Sequence, residues 1–121
     1  MWNLKAPCTS RNDGHCSAVD HNFLITVTVT EDGNAATTFP SKLVEGHTMI
    51  FTGQFTGTTI NLDSNNISQE CNYSIYPYCS TGTANWTITF TDINHGYGTG
   101  KGYGCGSCCQ TWEEDSLELY R

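Results

Sequence analysis

The sequence is poor in basic residues: Lys and Arg number 5 against 12 Asp and Glu, a formal net charge of −7. Those five are scattered. Without a basic cluster there is nothing to neutralise phosphates, so no nucleic-acid partner is expected, and no electrostatic attachment to an anionic membrane. Long apolar runs are also missing. No stretch approaches the ~18 residues of a membrane-spanning helix, so no membrane insertion is expected. The opening MWNLKAPCTSRNDGHC has no apolar signal-peptide core, so secretion would require a leader already removed. Fixed catalytic and ion-binding motifs are absent too. There is no H-E-x-x-H, G-x-S-x-G, P-loop or EF-hand pattern, and His15, His21, His47 and His95 stand apart from one another. No cofactor is expected and no catalytic residue is assigned. Hydrolytic sites without a metal can leave no motif, so an enzyme is not excluded, but binding is the reading adopted.

Aliphatic residues are thin. Hydrophobic residues make up 37% of the chain, and that figure includes seven Cys and six Tyr. A chain of 121 residues reads as one domain spanning 1–121, and one with so little aliphatic content gains from cross-links. Cys8, Cys16, Cys71, Cys79, Cys105, Cys108 and Cys109 can supply them. Dense cysteine in a short chain points to disulfides and an extracellular compartment. The simplest arrangement pairs Cys71 with Cys79 and ties the N-terminal loop to the 105–109 cluster. The odd count leaves one thiol over, or available to join two copies into a homo-oligomer. The competing reading is zinc. Cys105-Gly-Ser-Cys108 has ligand spacing, and Cys8, His15, Cys16 or Cys109 could complete a set of four. Three glycosylation sequons start at Asn66, Asn72 and Asn85. A chain this rich in Ser and Thr carries a few by chance.

Period-two alternation dominates what remains. In FLITVTVT (23–30), Ile25, Val27 and Val29 face one way and Thr26, Thr28 and Thr30 the other, the pattern of a half-buried strand. Asp32-Gly33 follows as a hairpin turn, with a partner strand expected over Ala35–Phe39 and a stop at Pro40. Further strands are expected at 47–55, with Gly53 as a bulge, at 58–63, at 85–91 and at 116–121. Only 111–119 competes as a short helix. The expected core is Ile25, Val27, Val29, Phe51, Ile60, Leu62, Trp86, Ile88 and Phe90. Glu113-Glu114-Asp115 reads as solvated surface. The fold class is therefore all-β: a small antiparallel β-sandwich or barrel stabilised by disulfides. Residues 39–63 (a Pro, a Leu–Gly turn, a strand ending in Gly and an I-x-L strand) resemble a strand pair of the galectin-type sandwich. That family's sugar-binding segments, H-x-N-P-R and W-G-x-E, are absent, so no residue is carried over.

The most unusual stretch is HGYGTGKGYGCGSCC (95–109), where glycine takes every second position from Gly96 to Gly106. If extended, it has one bare side that another backbone or an aromatic ring can approach closely. The other side presents His95, Tyr97, Thr99, Lys101 and Tyr103. Cys105, Cys108 or Cys109 would anchor its end. His95, Tyr97, Lys101 and Tyr103 are the expected binding residues, for a glycan or an extracellular protein surface. The alternatives are a self-assembling matrix or filament subunit, and a small zinc-site protein.

Overall fold

A computed structural model of the chain describes residues 2–6, 10–11, 21–41, 44–70, 78–104 and 111–121. Every regular element among them is a strand. They are β1 (Trp2–Ala6), β2 (Ser10–Arg11), β3 (His21–Ile25), β4 (Val27–Val29), β5 (Asn34–Pro40), β6 (Thr48–Thr56), β7 (Thr59–Glu70), β8 (Tyr78–Asp92), β9 (His95–Tyr103) and β10 (Thr111–Tyr120). The sheet order is β3-β1-β10-β9-β8-β7-β6-β5-β4, with β2 also on β10, and all pairings are antiparallel. From β4 to β10 the chain is a plain meander. β3 and β4 lie at the two ends of this order, yet Thr26 alone separates them. The segment 21–29 therefore leaves β1 and joins β5, which brings the sheet round into a nearly closed barrel. At that seam Thr37 Oγ1 donates to the Thr26 carbonyl at 2.8 Å. Of the two expected architectures the barrel is the one formed. Residues 39–63, expected as part of a sandwich-like pair, are consecutive neighbours in one meander.

The hairpins follow their turn residues. Gly33 (φ 85°) and Gly57 (φ 63°) take left-handed conformations that a side chain would strain. Gly53 corrects an expectation. It pairs in unbroken register with Ala35 and Leu62, so it is no bulge. Its bare side instead lets the Asn61 backbone come close. A real bulge lies further along β7, between Ser64 and Ile67. There the β6–β7 ladder stops at Thr52↔Asp63, and the Asn66 side chain continues it. Asn66 Nδ2 donates to the Thr48 carbonyl at 2.8 Å, while Oδ1 accepts from the Ile50 amide and from Ser64 Oγ, both at 2.9 Å. Asn66→Ala removes all three bonds and should lower stability by ~1–3 kcal/mol in urea denaturation. An unchanged midpoint would mean the bulge holds itself.

The barrel interior is filled by Leu4, Ile25, Met49, Phe51, Ile60, Leu62, Ile67, Trp86, Ile88, Trp112, Leu117 and Leu119, with Phe51 and Trp86 stacked at 4.0 Å. Six of the nine expected core residues are buried. Val27 and Phe90 are only partly buried, and Val29 is 45% exposed. Val29 lines the cavity at one end of the barrel, beyond the packed layers of the core. The segment 111–119 is a strand rather than a helix. Its alternation is broken by a bulge between Glu114 and Leu117, so the buried side changes from Trp112 and Glu114 to Leu117 and Leu119. The same geometry corrects the acidic run. Glu113 and Asp115 are exposed, but Glu114 is buried and accepts from Trp112 Nε1 at 3.0 Å.

Candidate functional site on the outer face of the glycine strand

β9 runs between β8 and β10, with its glycines on the interior side. The expected extended strand is present over His95–Tyr103. Each glycine faces something a side chain would displace. A methyl group on Gly96 would lie 2.8 Å from Ile88 Cγ2, and one on Gly100 would lie 2.5 Å from Trp86 Cδ1. At Gly98 it would collide with the Thr87 carbonyl oxygen, and at Gly102 with the Trp112 indole. The large interior residues thus sit directly on the β9 backbone, and that approach is what the alternation permits.

The outer side of the same strand carries the expected binding residues. Tyr97 is 48% and Tyr103 47% exposed, and Lys101 is exposed between them. Six residues at ~3.3 Å each separate the tyrosines by roughly 20 Å along the strand. At one end the His95 ring stacks on Tyr97 (6.2 Å, 6° between planes) and on Tyr120 (6.5 Å, 14°). His95 and Tyr97 are therefore brought together, and Tyr120 joins them as the cross-strand neighbour of His95. Lys101 pairs with Asn85 on β8 and Glu113 on β10. Beside it Asn85 Nδ2 donates to Asn61 Oδ1 and to Asp63 Oδ1, each at 2.7 Å. Two open grooves of about 410 Å³ each meet at Asn85 and Lys101, and Tyr103 lines one of them. Tyr97 and Tyr103 thus stand towards opposite ends of one polar strip. At the lower end the Asn94 amide donates to Asp92 Oδ1 at 2.6 Å and, as the largest influence, holds the Asp92 carboxyl below the ordinary carboxylate range. Desolvation opposes it as the second influence, and His95, with Nδ1 3.5 Å from Asp92 Oδ2, adds lesser contributions in the lowering direction.

Sequence reading did not find Tyr120, Asn61 or Asp63. The strand expected at 116–121 does not name its neighbours, and the register that sets Tyr120 against His95 comes from strand pairing, which no local pattern reveals. Asn66 and Asn85 of the sequons lie in strands, with their amide nitrogens engaged as described. Asn72, Cys8, Cys16, Cys71, Cys105, Cys108 and Cys109 lie outside the described residues, as does the Cys79 side chain, so the expected disulfides, zinc set and C-terminal anchor of the glycine run do too. Among the described residues no group of three or more His, Cys, Asp or Glu is placed to hold a metal ion. No helix among them is long and apolar enough to cross a membrane.

Fold and site together define a small antiparallel β-barrel with an aromatic and polar strip on one outer face. Compared with protein-family models, curated proteins and solved structures, the chain has no significant match.

Proposed function

We propose that the chain is a non-catalytic binding module that takes a glycan chain along the outer face of β9. The observation that carries the reading is the division of labour within one strand. Glycines fix the inner side to Trp86 and Trp112, and the outer side is left to present two exposed tyrosines with Lys101, Asn85 and Thr99 between them. Exposed rings stack on the apolar faces of sugar rings, and amides and ammonium groups bond their hydroxyls. A strip of roughly 20 Å suits an extended oligosaccharide better than a single sugar. The nearly closed barrel also supports binding over self-assembly, because a sheet that curls round on itself offers little edge for strand-to-strand growth. Secretion is part of the same proposal, supported by seven cysteines in 121 residues.

The test is a panel of immobilised oligosaccharides, followed by titration of any that retain the protein. Tyr97→Ala with Tyr103→Ala should leave the melting temperature within a few degrees of the parent and weaken binding at least about tenfold, a loss of ~1.4 kcal/mol. Undiminished binding by the double variant would move the site elsewhere. If no member of the panel is retained, the glycan reading fails and a protein partner takes its place.

A further inference from the structure

The hairpin turns at 30–33, 57–58 and 93–94 gather at one end of the barrel, and there the described residues leave the interior unfilled. A cavity of about 470 Å³ opens at this mouth. Sites for small organic ligands typically measure ~300–1,000 Å³, and barrel mouths are among their usual places. Its walls are mainly apolar, built by Trp2, Val27, Phe55, Ile60 and Phe90, with Thr58, Thr91 and Asp92 as polar members beside Arg121. Trp2 and Phe55 both meet Phe90 at an angle (5.4 Å and 59°; 6.2 Å and 60°), so the three rings do not close face to face over the space. Protein interiors are ordinarily packed as densely as organic crystals, yet here Val27, Phe55 and Phe90 are left partly uncovered and Ile93 is 78% exposed.

The charges at the rim narrow the occupant. The Arg121 guanidinium lies 4.3 Å above the Trp2 ring and gives one bond to the Ile93 carbonyl at 3.0 Å. It already occupies the place where a cationic ligand would stack, and it offers further N–H donors at the wall. The hairpin tips carry exposed Glu31, Asp32 and Asp92, which disfavour an anion. The same three carboxylates oppose a second copy docked mouth to mouth, because like charges would meet. We propose that the barrel mouth binds a small uncharged ring compound carrying one hydrogen-bond acceptor, with the rings against Trp2, Phe55 and Phe90 and the acceptor towards Arg121.

N-phenyl-1-naphthylamine, a neutral aromatic whose fluorescence rises in apolar surroundings, tests whether the mouth takes an uncharged ring system. Titrated into the folded protein, it should bind at one per chain, and the anionic 8-anilinonaphthalene-1-sulfonate should bind several-fold more weakly. Val29→Trp places a large ring at the already exposed edge of the mouth and should weaken the neutral probe about tenfold without lowering the melting temperature. Tyr97→Ala with Tyr103→Ala should leave that probe's affinity unchanged. The proposal is overturned if the neutral probe does not bind at micromolar concentration, or if Val29→Trp binds it normally. It is equally overturned if the tyrosine pair removes probe binding, which would place the probe on the outer face. A neutral probe bound no better than the anionic one would overturn the charge assignment.

Discussion

Gly98→Val should abolish the cooperative unfolding transition or lower stability by ~4 kcal/mol or more, a loss comparable to much of a small domain's net stability. The reason lies in the backbone. The space beyond the Gly98 Cα is taken by the carbonyl of Thr87, a rung of the ladder in which Ile88 faces Gly98. A flexible side chain could rotate away, but a strand carbonyl cannot move without breaking the β8–β9 pairing on both sides. Ordinary overpacking costs ~1–3 kcal/mol because neighbouring side chains relax, and here that route is closed. Thr99→Val, one residue on and facing outwards, should change stability by no more than ~0.5 kcal/mol. Thermal and urea denaturation of the two variants decide the matter. Similar midpoints would show that the glycine side of β9 is not held against β8 as described.

The fold was legible where alternation ran uninterrupted within one strand. HTMIFTGQF and NWTITFT each declare a strand and a face, because successive side chains point to opposite sides. FLITVTVT declares its face, but the single strand expected over 23–30 is divided at Thr26, with β3 paired to β1 and β4 to β5, and alternation does not show where a strand changes partner. Legibility failed at bulges. In TWEEDSLELY an extra residue after Glu114 shifts the buried side from even to odd positions, so Trp112, Leu117 and Leu119 share one interior without sharing a period. β7 hides Ile67 in the same way after Leu62. Depth along the barrel is also invisible to a pattern. Val29 has the same parity as Ile25 and Val27, yet it sits at the mouth, which is why a core residue by alternation became part of a cavity wall. Of the outer strip, the four residues on β9 could be read directly from the glycine alternation. Tyr120, Asn61 and Asp63 could not, since each is brought there by a pairing made across the sheet.

Coupling between Gly100 and Trp86 tests the alternation's purpose most directly. Trp86 is held on one face by Phe51, stacked at 4.0 Å, and its Cδ1–Nε1 edge lies over Gly100. A methyl group on Gly100 would lie 2.5 Å from Cδ1, 3.0 Å from Nε1 and 3.3 Å from Leu117 Cδ1. The indole is buried, and Phe51 stacked on its face blocks a tilt to that side, so it can yield only by disturbing the packed interior. Gly100→Ala should therefore cost ~2–3 kcal/mol, although alanine is otherwise the better strand residue. Trp86→Leu should cost ~3–5 kcal/mol through lost stacking and an unfilled interior. In the Trp86→Leu background the same Gly100→Ala change should cost almost nothing or stabilise slightly, because the two closest atoms it met are gone, Leu117 Cδ1 at 3.3 Å needs to give only slightly, and the methyl group fills part of the space. The coupling energy of the cycle should thus reach ~2 kcal/mol, within the ~0.5–3 kcal/mol found for residues in contact. Additive costs from the urea midpoints of the four proteins would mean that Gly100 is glycine for some reason other than the indole it faces.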